Sequence, residues 1–522
     1  MTKICILTAG KGSRLNKLGK TINKAILPIK EKAILSHILE LFDSKDEFVI
    51  GLGYRGSDVK NYLKIAHPNL KFKFVEIKNF AGKGSGPGRS LLYCKKFLQE
   101  KFFFVPCDLL SNIDLKHNTK FKHNIFWCSK TVKKYSQNYL NFFQKKMSIL
   151  NFADKKKINS DNYYSWSGLC FIKDYKRFWD SLENRKNKIK NEYQISNGIT
   201  DLIKEKKCKI RKIKWLDLGN YKNYEIEKNK YQKFDFSKDK EFIYFVNNNV
   251  IKFSKNEKDA KNKYLKFKLN KKNYPIDTNY KENYLFYKFQ NGKNYYNSIN
   301  KKNFIQLLNY LDKNLWKKKN VSIKQLKLNC TNFYKKKTYN RTALFLKTMS
   351  KYDKVTMVNN LKIESVNKIL NKIKWNELLK GTPSYIHGDL QFDNIIKTQK
   401  SFKLIDWRSD FDGQVSYGDI NYDYAKMLGG IHINYKEIKK NNFLVKKKQI
   451  NKSYFVKFPK CKDYKNINKI MNQFLYKKKI DPKKIETLQA LIYLNMSPLH
   501  KPPFSIGLFL YAKYLLTKKM IA

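Results

Sequence analysis

Short apolar runs alternate with amphipathic stretches through the first two hundred residues. Ile4-Cys5-Ile6-Leu7, FVIGLGY (48–54), KFKFVEI (71–77), KFFFVPCD (101–108), NIFWCSK (124–130) and SGLCFI (167–172) have the length and the aromatic, β-branched content of strands. Between them, AILSHILELF (33–42) and GRSLLYCKKFLQ (88–99) carry helical spacing. This alternation predicts an α/β domain with a mixed, mostly parallel sheet over residues 1–225. The polar stretch Asn220–Lys240 reads as a connecting helix and linker, with the linker proper at 226–240. EFIYFVNNNVIKF (241–253) then predicts a hairpin turning at Asn247-Asn248-Asn249, and helical periodicity dominates from Phe304 onward. A second, α+β domain is therefore expected over 241–522, with a smaller lobe at about 241–300 and a larger one at about 301–522. A chain of 522 residues is longer than one core usually organises.

Composition adds a strong charge and little else. Lys and Arg number 109 against 43 Asp and Glu, a formal net charge of +66, which would attract any polyanion. The basic residues are mostly Lys, spread over the whole length and accompanied by Asn, Ile, Tyr and Phe. All five have A/T-rich codons, so the charge reads as composition bias, with no specific nucleic-acid footprint expected. The eight cysteines form no CxxC pair and no Cys/His metal spacing. The N-terminus lacks signal-peptide features, and the most apolar segment, Leu488 to Leu516, is broken by polar residues and prolines. The expectation is a cytoplasmic protein with reduced thiols and no membrane insertion.

The first chemical motif is Gly10-Lys11-Gly12-Ser13-Arg14, directly after the strand ending at Leu7, followed by Lys24-Ala25-Ile26-Leu27-Pro28. A glycine turn there lets backbone N–H groups approach phosphate oxygens, and Arg14 and Lys24 supply two cations. The spacing matches neither GxGxxG nor the P-loop. Asp108 ends an apolar strand, where open α/β sheets place ligand groups.

These segments resemble the sugar-1-phosphate and phosphocholine nucleotidyltransferases, whose pattern is (L/A)xAGxG(S/T)RL…PKxLxP. Ala25 and Asn23 stand where that pattern has proline beside the lysine. The resemblance implies a Rossmann-like domain in which Leu7, Ala9, Gly10, Gly12 and Ser13 hold a nucleoside triphosphate, with Arg14 and Lys24 in catalytic contact with its phosphates. Trp215-Leu216-Asp217-Leu218-Gly219-Asn220 looks like that family's W-x-D-x-G-(T/N), which makes Asp108 and Asp217 the carboxylates expected on Mg²⁺. Gly84, Ser85 and Gly86 fall in the loop that the resemblance places over base and ribose.

The second motif is His387-Gly388-Asp389-Leu390-Gln391-Phe392-Asp393-Asn394, followed by Leu404-Ile405-Asp406-Trp407. Its spacing is that of a phosphotransfer loop, with Asp389 reaching an acceptor hydroxyl and Asn394 reaching a metal shared with Asp406. This half resembles the aminoglycoside phosphotransferases and choline kinases, which implies a bilobal protein-kinase-like fold over 241–522. Lys252 is then expected on the ATP phosphates, although no Glu lies at the usual distance beyond it. Asp419 and Asp423 are expected as braces of the catalytic loop.

Together the resemblances imply a multifunctional transferase: an ATP-dependent kinase phosphorylates a small molecule, and a Mg²⁺-dependent nucleotidyltransferase joins the product to a nucleotide from a second NTP, CTP or UTP. The resulting NDP-activated group would feed nucleotide-sugar and cell-surface polysaccharide synthesis. The acceptor is a sugar or, in a second reading, a choline- or ethanolamine-like alcohol activated with CTP. A reading from another class is a basic RNA-binding protein.

Overall fold

The computed structural model describes residues 1–522 except 117–120, 186, 190, 206, 232–240, 449–451 and 522. The described residues form two compact units, one of Met1–Tyr231 together with residues up to Lys255, the other beginning at Asn256. Of the expected linker, residues 232–240 lie outside the described residues.

The first unit is built on a sheet of nine strands: β1 (Lys3–Leu7), β2 (Glu47–Leu52), β3 (Lys71–Glu76), β4 (Phe102–Pro106), β5 (Asn124–Ser129), β6 (Leu140–Lys145), β7 (Ser148–Asp154), β8 (Tyr164–Ile172) and β9 (Cys208–Lys212). Their order across the sheet is β3-β2-β1-β4-β8-β5-β9-β7-β6. The continuous apolar run of β1 suits a central strand buried on both faces. It pairs in parallel with β2 (Lys3↔Glu47) and with β4 (Lys3↔Phe102).

The sheet is less parallel than the alternation implied. β3-β2-β1-β4 is parallel, but β8 runs antiparallel to β4 (Cys170↔Phe104) and to β5 (Cys170↔Phe126). A parallel neighbour needs a crossover, usually helical. The chain enters β8 from the β6–β7 hairpin, whose turn residues Lys146 and Met147 both have positive φ, with no helix between β7 and β8.

Asn220 caps the helix Tyr221–Asn229 by accepting from the Asn223 N–H. The Tyr224 hydroxyl then ties that helix to the Pro28 carbonyl at 3.1 Å. The expected hairpin forms from strands Glu241–Val246 and Asn249–Ser254. Asn247 and Asn248, with φ of +49° and +60°, make a two-residue turn suited to asparagine, so Asn249 belongs to the strand. Tyr244 anchors this hairpin to the first unit: its hydroxyl donates to the Ile26 carbonyl at 2.7 Å and its ring meets Tyr62 at 4.8 Å.

The second unit is mostly helical, with short sheets between. A hairpin of Asn279–Lys281 and Tyr284–Lys288 accompanies the helix Glu257–Leu269. The main core packs the helices Ile420–His432, Pro482–Met496 and Phe504–Ile521. Their starts are legible in sequence: Asp419 caps the first, and Asp481 followed by Pro482 begins the second. All eight cysteines are buried free thiols. Among the described residues no helix is long and apolar enough to cross a membrane.

Candidate active sites

In the first unit, β1 delivers the chain into the glycine loop at the edge of the parallel strands. Leu7 is held between Gly51 and Pro106 of the neighbouring strands, and the Ala9 carbonyl accepts from the Tyr54 N–H at 3.0 Å. Gly10 and Ser13 are exposed, and Gly12 has a left-handed φ of +63° that favours glycine. Asn23, where the motif departs from proline, is fully buried. Its side-chain amide donates to the Thr8 and Tyr54 carbonyls at 2.8 and 2.7 Å and its oxygen caps the turn at Ala25. One asparagine thus fixes both the loop after β1 and the turn bearing Lys24.

Lys24 reaches Asp108 at 2.9 Å. Asp108 follows β4, and Asp217 ends the strand Trp215–Asp217, which pairs with Leu109–Ser111 so that Asp217 faces Leu109. Gly219 shows how tightly the groups converge: a methyl there would lie 2.5 Å from Asp108 Oδ2, 2.8 Å from Asp217 Oδ1 and 3.1 Å from an Arg14 guanidinium nitrogen. Burial works against the charges of both Lys24 and Asp108, but their mutual attraction prevails, raising the ammonium and lowering the carboxyl from their ordinary values. Asp217 shifts the other way, raised by burial and then by the Asp108 charge. A carboxylate pair of which one member is held unfavourably charged fits a divalent cation, and Mg²⁺ takes few protein oxygens. Among the described residues no cluster of three or more His, Cys, Asp or Glu side chains could hold a metal.

Arg14, Asp108 and Asp217 line a cleft of about 230 Å³. Tyr139, Trp166, Gln194 and Trp215 also line it, and the sequence reading missed them as site residues. One signal was available: Gly168 interrupts an apolar strand pattern, the mark of a bulge. The register of β8 against β5 does shift between Trp166 and Cys170, and Gly168 has φ +88°. Gly84, Ser85 and Gly86 sit in a loop docked on the short strand Glu192–Tyr193: the Tyr193 N–H donates to the Ser85 carbonyl at 2.7 Å, and a methyl at Gly86 would strike the Tyr193 backbone at 2.6 Å.

In the second unit, the loop at Asp389 is held from below by Asp423, whose carboxylate accepts from the His387 and Gly388 N–H groups at 2.8 and 2.7 Å and from Trp316 at 3.1 Å. Asp419, expected to brace the loop as well, accepts instead from the Tyr334 hydroxyl and the Thr382 N–H at 2.9 and 2.8 Å, neither of which lies in the loop. Burial pushes the Asp423 carboxyl up to about 6 and the His387 imidazole down to about 3, so His387 is a neutral structural ring bonded to the Ile405 carbonyl.

Asn394 donates to the Asp389 carbonyl at 2.8 Å, and its own carbonyl accepts from Ile405. The strands Ile395–Lys397 and Phe402–Leu404 pair with Ile395 opposite Leu404, so Asn394 and Asp406 emerge at the same end of the hairpin. Asp406 is exposed with a left-handed φ of +58°, an uncommon backbone for a non-glycine residue. Asp389, Asn394 and Asp406 are thus brought together. Lys252 lies half-buried on strand Asn249–Ser254 of the first unit. The sequence reading assigned no role to Lys426, whose ammonium lies 2.8 Å from Asp389 Oδ1.

No family model matches the chain. Its first 230 or so residues match sugar-1-phosphate nucleotidyltransferases. The bifunctional protein GlmU of Methanocaldococcus jannaschii is 29% identical over 229 residues, 43% of this chain and 53% of that protein. The D-glycero-alpha-D-manno-heptose 1-phosphate guanylyltransferase of Campylobacter jejuni is 29% identical over 112 residues, 21% of this chain and 49% of that protein. A UDP-glucose pyrophosphorylase solved with UDP-glucose aligns at 20% identity over 44% of this chain and 98% of that one, with a TM-score of 0.39. The chain spans about half the length of the curated relatives it matches.

Proposed function

We propose that the chain is a bifunctional transferase in which the second unit phosphorylates the hydroxyl of a small molecule with ATP and the first unit joins that phosphate to a nucleotide. The observation that carries this reading is the convergence of Arg14, Asp108 and Asp217 on Gly219 in one unit, alongside the Asp389–Asn394–Asp406 constellation in the other. Nucleotidyl transfer forms a bond from an oxygen of the substrate phosphate to the α-phosphorus of the NTP and breaks the bond to the departing pyrophosphate. Arg14 would draw charge off the phosphates in flight, and the glycine loop would hold the triphosphate by its N–H groups. Asp108 and Asp217 would hold Mg²⁺, whose chemistry is to neutralise phosphate charge. In the second unit Asp389 would orient the acceptor hydroxyl and take its proton, while Asn394 and Asp406 would hold the metal of ATP.

A sugar is preferred over an amino alcohol as the acceptor, because the name of the Campylobacter jejuni relative refers to heptose 1-phosphate. The product would be an NDP-sugar, made with CTP, UTP or another NTP, of the kind consumed in surface-glycan assembly. Incubating the chain with ATP, Mg²⁺, each NTP and a panel of sugars and amino alcohols, with mass spectrometry, tests this. The expected result is a phosphorylated acceptor and its NDP derivative. If no acceptor is phosphorylated better by wild type than by Asp389→Asn, the kinase assignment is lost. If no NTP releases pyrophosphate with any sugar 1-phosphate, the transferase assignment is lost.

A further inference from the structure

We propose that the second unit carries an oxyanion subsite beside Asp389, formed by Lys337, Arg341, Arg408 and Lys426, so that the molecule phosphorylated there is itself an anion bearing a carboxylate or phosphate group. The inference rests on the phosphotransferase reading of Asp389, Asn394 and Asp406.

The four cations come from three elements that fix their positions. Lys337 and Arg341 stand one turn apart on the helix Lys337–Met349, and Tyr422 and Lys426 one turn apart on Ile420–His432. Arg408 follows the Asp406-Trp407 turn and is tied to the loop of Asp389 by donating from Nε to the Gly388 carbonyl at 3.2 Å. Its guanidinium lies 5.0 Å from the Phe333 ring and 5.7 Å from the Tyr422 ring, while the Lys337 ammonium lies 3.9 Å from Phe333. One aromatic ring therefore carries two of the cations. Phe333 belongs to a π-helical segment, Thr331–Lys336, a distortion that tends to mark functional positions. Asp412 holds that segment in place by accepting from Asn329 and Asn332, both at 2.9 Å.

Charge is out of balance here. Lys426 pairs with Asp389, and Asp410 lies in the field of Arg408. Among the described residues no carboxylate lies within ion-pair distance of Lys337, Arg341 or Arg408, and one Arg341 guanidinium nitrogen is buried with no hydrogen-bond partner. Burial, followed by the charges of Arg408, Arg341 and Lys426, pushes the Lys337 ammonium down to about 6. Partly dehydrated like charges repel until an anion enters among them.

Composition bias does not account for the cluster. Lysine is abundant along the whole chain, but Arg341 and Arg408 are the only arginines after Arg211, and both lie here. Guanidinium groups are suited to bidentate contact with carboxylate or phosphate. In the proposed step the acceptor hydroxyl oxygen bonds to the γ-phosphorus of ATP, the bond from that phosphorus to the bridging oxygen breaks with its electron pair leaving on ADP, and the hydroxyl proton passes to Asp389 and then to water. The subsite would hold the acceptor's anionic group while this occurs.

The test uses the full chain with ATP and Mg²⁺ and four acceptors: glucose, glucuronate, glucose 6-phosphate and ethanolamine. The two acids are expected to exceed glucose in kcat/KM by about tenfold or more, and Arg341→Gln and Lys337→Gln to raise their KM by about 10- to 100-fold. Arg341→Lys should recover part of the loss, and circular dichroism checks that each variant is folded. If glucose or ethanolamine is turned over as well as the acids, the subsite is overturned while the phosphotransferase reading stands. A rise in KM for ATP alone in these variants would assign the cluster to the donor phosphates and equally overturn it. If wild type phosphorylates nothing better than Asp389→Asn, it is the phosphotransferase reading that fails. Calorimetric titration with glucuronate and glucose 6-phosphate then decides the subsite: binding lost in Arg341→Gln upholds it, and no binding to wild type sinks it.

Discussion

The two constellations differ in charge balance. Around Gly219 two carboxylates meet two cations, and Asp217 is left with a raised pKa that a bound cation would relieve. At Asp389 one carboxylate, ion-paired with Lys426, adjoins a cluster of basic side chains, and Lys337 is left with a lowered pKa that a bound anion would relieve. Both arrangements are suited to phosphate chemistry, but they differ in what they lack. The first invites a metal ion to complete it, and the second invites a negatively charged molecule. In each, the charged form of one group is disfavoured by burial and its neighbours, as happens where a protein is built to bind.

Breaking each site separately should show that the two are distinct. Asp389→Asn is expected to lower ATP-dependent phosphorylation by ~10²–10⁴-fold, the range for loss of a positioned acid–base group, while pyrophosphate release from NTP and a supplied sugar 1-phosphate continues. Arg14→Gln should do the reverse, lowering nucleotidyl transfer by ~10²–10³-fold with phosphorylation intact. If either variant affects both reactions equally, the separation between the sites is lost.

Smaller effects sharpen the contrast. Because Asp217 is raised, protons compete with a divalent cation above the ordinary carboxylate range, so nucleotidyl transfer should decline as pH falls toward that range and added Mg²⁺ should move the decline to lower pH. A pH–rate profile indifferent to Mg²⁺ contradicts the metal assignment. Lys24→Met should cost about 1–3 kcal/mol of stability at neutral pH, read by denaturant melts. Asp108 is held below its ordinary value, so the Lys24 contribution is full above about pH 4 and disappears as pH falls through the folded-state pKa. The difference between wild type and variant should therefore vanish in acid. Tyr244→Phe removes the bond to the Ile26 carbonyl and should cost about 1 kcal/mol.

The local motifs were the legible part of both sites. The glycine loop, Lys24, Asp108 and Asp217 are marked by strand ends and turn residues, which follow from neighbours in sequence. Likewise the register of the Ile395–Leu404 hairpin follows from local pattern and brings Asn394 beside Asp406. What stayed hidden depends on packing between distant segments. The reversal of β8, the cleft residues Tyr139 and Gln194, and the meeting of Lys337, Arg341, Arg408 and Lys426 are set by which elements pack together. In a chain with 109 basic residues, no local pattern distinguishes a lysine such as Lys426 from those facing water. The Asn23 departure in the first motif is intelligible only in three dimensions, where its amide bridges two loops.

The central claim is that the phosphate installed by the second unit becomes part of the product of the first. Incubating the full chain with γ-³²P-labelled ATP, an unlabelled second NTP, Mg²⁺ and the acceptor panel tests it directly, since label can enter an NDP-linked product only through a phosphorylated acceptor. The expected result is label in the phosphate next to the acceptor, absent with Asp389→Asn and arrested at the phosphorylated acceptor with Arg14→Gln. An NDP-linked product that forms without label, or only when a sugar 1-phosphate is supplied, would contradict it.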